Sequence, residues 1–130
     1  MRGEWRAFEE GHTLGSRGSE GGIIVRDECH TEGARITLEE VHISEGKAAH
    51  ITTCGIYGWM LHTGGWASTR GTADSIYDSI KERLEDILAL IPEAPAGSTD
   101  APWGGYSSRE EMLEAASPAS TAIAKFVDDF

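Results

Sequence analysis

Asp27, Glu40 and His42 are the residues whose types and spacing best suit chemistry in this 130-residue sequence. Glu40 and His42 stand two apart in a segment that reads as a strand. Their side chains then leave one face, with α-carbons about 6.5–7 Å apart, a spacing that allows acid/base work or ligand binding. The strand register derived below adds Asp27 to the same apolar face, where an unpaired charge is costly. A β-bulge near Glu39–Glu40 is the alternative; it would turn Val41 and Ile43 inward and send the acids to solvent. Tyr57, Trp59 and Trp66 suit a core or an interface, and can equally line a ligand pocket. The loop that carries Gly64, Gly65, Ser68, Thr69 and Arg70 precedes a helix, whose N–H groups can hold an anion. It matches neither GxxxxGK[ST] nor GxGxxG, and a plain connecting loop accounts for it as well. With His62, the candidate ligand-binding set is Asp27, Glu40, His42, Tyr57, Trp59, His62, Trp66 and Arg70.

Glu28, His30, Thr37, His50, Thr52, Cys54 and, on a straight strand, His62 fall on the opposite face. These include the usual ligand types for transition metals. Twelve residues of extended strand would hold His50 and His62 about 40 Å apart, so only a break near Gly55 or Gly58 brings them together. No CxxC or HExxH spacing occurs, and no metal site is assigned. GxSxG is absent and neither cysteine has an adjacent base, so the sequence assigns no catalytic residue and no cofactor.

The elements that must position these groups follow from alternation and turn chemistry. Ile23 to Thr31 reads as a strand, Glu32-Gly33 as a two-residue turn, and Ala34 to Ile43 as the returning strand. A second turn at Glu45-Gly46 leads into Lys47 to Thr63, twice the length of a common strand and open to a bulge or break at Gly55 or Gly58. Two-residue turns set Thr31 opposite Ala34, Ser44 opposite Lys47 and Arg26 opposite Glu39. That register gathers Ile23, Val25, Cys29, Ile36, Leu38, Ile51, Tyr57, Trp59 and Leu61 on the helix-covered face, together with Asp27, Glu40 and His42. Cys29 and Cys54 land on opposite faces, which argues against an internal disulfide.

Thr72 is the predicted N-cap of a helix over Ala73 to Ile91, on the spacing of Ile76, Ile80, Leu84, Ile87, Leu88 and Ile91. Pro92 closes it. A linker follows over 93–107, and C-terminal helices over 108–130 start at the Ser108/Glu111 capping box and at Ser117-Pro118. The final stripe is Ile123, Phe126, Val127 and Phe130. Residues 1–21, glycine-rich and charged, form a flexible arm that Trp5 and Phe8 dock. The fold class is therefore α+β, an antiparallel β-meander packed against C-terminal helices, with its core over 22–92.

Twenty-two acidic against eleven basic residues give a net charge of −11, which opposes binding to nucleic-acid phosphates and to anionic membranes. The longest apolar run, Ile87 to Ile91, is far below the roughly 20 residues of a membrane span. Met1 to Gly11 shows no secretory pattern and the two cysteines form no disulfide framework, so a cytoplasmic location is expected.

The segments GGIIVRDE, GARITLEE and ITTCGIYGWMLHT, with the helix ending at ALIP, resemble a family of small uncharacterised bacterial proteins over about residues 22–92. Some members are likened to haem-utilisation proteins. That resemblance implies haem or another flat ligand and assigns none of the five histidines to it. The leading expectation is a non-catalytic ligand- or partner-binding or regulatory domain, as a homodimer. A haem- or metal-linked protein or enzyme using His30, His42, His50 or His62 is the alternative. An acidic inhibitor of a basic protein is the third.

Overall fold

The computed structural model describes residues 3–92 and 107–130. Five strands, β1 (Trp5–Ala7), β2 (Ile23–His30), β3 (Ala34–Ser44), β4 (Lys47–Ile56) and β5 (Met60–Ala67), form one antiparallel sheet in chain order. Two helices, α1 (Arg70–Leu90) and α2 (Arg109–Asp129), complete an α+β fold. α1 crosses one sheet face, burying Ala73, Tyr77, Ile80, Leu84 and Ile87 against Ile36, Leu38, Cys54 and Ile56. Each fully buried aliphatic side chain here contributes about 1.5–3 kcal/mol, so this layer supplies most of the driving force. α2 adds Phe126 at its edge, against the ring of His62.

The reversal at Glu45-Gly46 is where the sequence places it, with Ser44 opposite Lys47. Ile43 then bulges and moves the pairing by one, so that His42 meets Ala48 and Leu38 meets Thr52. The first reversal is a three-residue loop, closed by the Gly33 N–H donating to the His30 carbonyl, with Gly33 at φ +104°. Arg26 therefore lies opposite Leu38, not Glu39.

A slip of one residue turns a strand over. β3 keeps the face expected of it, while β4 and β2 from Arg26 onward present the opposite one; a bulge at Val25 returns Ile23 to its expected face. Asp27, Cys29 and Ile51 leave the helix-covered face; Glu28, His30, His50, Thr52 and Cys54 join it. The expected inward trio of Asp27, Glu40 and His42 is accordingly split between two faces. Cys29 and Cys54 remain on opposite faces and both are free thiols.

The long segment from Lys47 breaks at Tyr57–Trp59, and β5 continues through Gly64 and Gly65, whose glycine pair suggests a loop. α1 starts one turn earlier than Thr72 suggests: Thr69 is the N-cap, its hydroxyl accepting from the Thr72 N–H at 3.2 Å. Ser108 caps α2 through the Glu111 N–H at 3.1 Å. α2 then runs unbroken through Pro118, where a second helix start was expected. The expected linker lies outside the described residues except for Ser107. Among the described residues, no helix is long and apolar enough to cross a membrane.

Candidate functional site

Residues 8–22 return across the sheet face that the helices leave open, and three anchors hold this strap. Arg35 makes a two-pronged ion pair with the fully buried Asp27 carboxylate at 2.8 and 3.1 Å, while the Phe8 ring stacks on its guanidinium at 3.5 Å. The Thr13 hydroxyl donates to the same carboxylate at 2.8 Å. Farther along, the Glu39 carboxylate, 1% exposed, accepts from the backbone N–H groups of Glu20 at 3.2 Å and Gly22 at 3.1 Å. Gly18 is required at this point, because a Cβ there would collide with the Glu39 carboxylate. Charged acceptors for backbone donors are the stronger class of hydrogen bond, so Glu39 fastens the strap to β3.

Between the strap and the β4–β5 hairpin lies a groove of about 810 Å³. Its floor is Arg35, Thr37 and Thr53, and Gly55 keeps clear the space where a Cβ would crowd the Met60 carbonyl oxygen. One wall carries Arg17, which makes no ion pair among the described residues and only a 3.4 Å bond to the Gly21 carbonyl. The other carries Tyr57 and Leu61, 92% and 82% exposed. A pocket with apolar walls and a few convergent polar groups has the make-up of a small-ligand site.

No protein-family model, curated protein or solved structure matches the chain.

Of the residues singled out by sequence, Tyr57 and Trp59 line the groove. Asp27 is an anchor beneath the strap. Glu40 meets His50 across the strands at 3.6 Å, and His42 stands exposed near the hairpin end, so the partner of Glu40 is not the one that spacing suggested. His62 is half-buried against Phe126, and Arg70 is held by Asp74 at 3.1 Å. Trp66 lies at the other end of the sheet, beside Ile43 and Lys47. Arg17, Arg35, Thr37, Glu39, Thr53 and Leu61 were missed. The available signal was the close spacing of Gly18, Gly21 and Gly22, which permits tight approach to a sheet, together with an acid at position 39 inside an apolar strand.

The helix-covered face holds polar groups of a different kind. Both ring nitrogens of His50, Thr52 Oγ1 and His62 Nε2 are buried without a hydrogen-bond partner. The β4–β5 hairpin brings His50 and His62 to one face, with Thr52 between them. Near the β2 edge, Glu28 accepts from the Tyr77 hydroxyl at 2.7 Å and from Lys81 at 2.9 Å, with Arg26 at 3.5 Å. Burial opposes the Glu28 charge, but these partners outweigh it and hold the carboxyl below its ordinary range. Burial, reinforced by Glu28, pushes the Tyr77 hydroxyl well up. Burial alone pushes the Cys54 thiol up to about 12. Cys54 therefore stays a thiol at neutral pH and is no nucleophile. Among the described residues, no three histidine, cysteine or acidic side chains are grouped as a metal site.

Proposed function

We propose that this protein is a non-catalytic binding domain that takes a small amphipathic anion, an apolar body bearing a carboxylate, sulfonate or phosphate, in the groove on the open sheet face. The observation that carries this reading is the pairing of Arg17, a cation without an acidic partner among the described residues, with the exposed Tyr57 and Leu61 across the groove. In a chain of net charge −11, a lone guanidinium facing an apolar wall selects for an anion that the rest of the surface repels. Arg35 adds a second guanidinium, partly neutralised by Asp27. None of the five histidines lines the groove, so this reading does not include a histidine-ligated haem.

The test is a titration with 8-anilinonaphthalene-1-sulfonate, which combines an aromatic body with one anionic group. A saturable fluorescence rise at one site per chain is expected, together with a raised melting temperature, since a ligand that binds only the folded form stabilises it. Arg17→Ala and Tyr57→Ser should each weaken binding about tenfold, corresponding to about 1.4 kcal/mol for one lost contact. Unsaturable binding, or both variants binding as the parent does, would overturn the proposal.

A further inference from the structure

The two edges of the sheet differ in kind. β1 ends one side with three residues flanked by charge, Arg6 against Glu4 at 3.3 Å, which is how natural sheets blunt an edge. β5 ends the other side with eight residues, Met60–Ala67, that include no Asp, Glu, Lys, Arg or Pro. Among the described residues, no strand pairs with its outer side. A row of backbone N–H and C=O groups along a neutral strand is a template for a further strand.

The side chains on β5 specify which strand. Leu61 lies opposite Gly55 and Ala67 turns into the core, which puts Leu61 and Trp66 on the same, open face. Both are exposed, Trp66 by 59%. They also flank Thr63, because the irregular pairing of β5 between Gly64 and Ala67 sets Gly65 and Trp66 together opposite one residue of a neighbouring strand. When two copies of β5 lie antiparallel about Thr63, Leu61 of each faces Trp66 of the other, and one two-fold operation covers all four side chains. A contact that complements itself in this way marks a second copy of the chain, since a peptide from another protein needs no such symmetry. The charge pattern agrees, because two chains of −11 approach most easily along a strand that carries none of the acids.

We infer that β5 pairs antiparallel with β5 of a second copy, joining two five-stranded sheets into one of ten strands. Leu61 also walls the groove, so Trp66, which lies outside it, is the side chain that separates this inference from the proposed ligand. The experiment is sedimentation equilibrium on the full chain from about 1 to about 100 µM, a range over which a reversible dimer changes population. The mass is expected to rise from the 14.0 kDa monomer toward twice that value. Trp66→Lys and Leu61→Lys, each setting a charged side chain into the apolar contact, should each hold the mass at the monomer value with the parental near-UV circular dichroism. A parent that is monomeric throughout would overturn the inference, and so would a dimer that survives both substitutions. Because both side chains are exposed, an unfolded variant is not expected; if one unfolds, the other decides.

Discussion

Replacing Glu39 with alanine should loosen the strap without disturbing the helix-covered core. The carboxylate accepts from two backbone donors, Glu20 N–H and Gly22 N–H, in a site that is 1% exposed. Hydrogen bonds to a charged group are worth about 1.5–3 kcal/mol each, which sets an upper limit of about 3–6 kcal/mol. Residues 18–22 can lift away and let water satisfy both donors, so the expected loss is about 2–4 kcal/mol, against a total stability of about 5–15 kcal/mol. At this chain length that corresponds to a melting temperature lower by about 8–15 °C. Urea denaturation measures the free energy, and amide hydrogen exchange locates it. The Glu20 and Gly22 amides should lose protection while those of β3 and β4 opposite α1 keep it. Glu39→Gln, which retains one acceptor, should fall between the two. A loss below about 0.5 kcal/mol with Gly22 protected as in the parent would refute the reasoning.

Two further outcomes follow from the helix side. Glu28 has its folded pKa held below its ordinary value of 4.5, so the unfolded chain binds more protons there; its contribution is complete above that value and fades as pH falls through the folded pKa. The stability gap between the parent and Glu28→Gln should therefore narrow on going from pH 6 to pH 3, and a gap constant over that range would contradict the Tyr77–Glu28–Lys81 arrangement. Cys54, its thiol raised to about 12 and its side chain buried, should react with iodoacetamide only at the rate of unfolding, whereas the half-buried Cys29 reacts from the folded state. Equal rates for the two at neutral pH would show that the β4 face is not closed as described.

The helices and the meander are legible in the sequence because they rest on local signals: helical spacing from Ile76 to Ile91, the Ser108 cap, and turn residues at Glu45-Gly46. The candidate site is not, and the cause is register. A third residue in the loop at Thr31–Gly33 and a bulge at Ile43 each shift the pairing by one position, and alternation then inverts β2 and β4 together. Neither bulge nor loop length changes hydropathy, since Ile23 to Cys29 and Lys47 to Ile56 place apolar residues at both parities. Glu40 and His42 do share a side of β3, as their spacing requires, but His50 reaches Glu40 only because β4 is turned over. The groove depends further on a strap folded back over residues far along the chain. Glu39 looks like a surface acid until Gly18 and Gly22 are seen to approach it.

The proposed ligand sits on the open face, between the strap and the β4–β5 hairpin. Amide chemical-shift mapping during titration with 8-anilinonaphthalene-1-sulfonate tests this placement most directly. Saturable shifts are expected to cluster at Arg17–Ser19, Arg35–Thr37 and Thr53–Leu61, with none of comparable size along α1. Shifts confined to the helices, or to the Ile43, Lys47 and Trp66 end of the sheet, would contradict it.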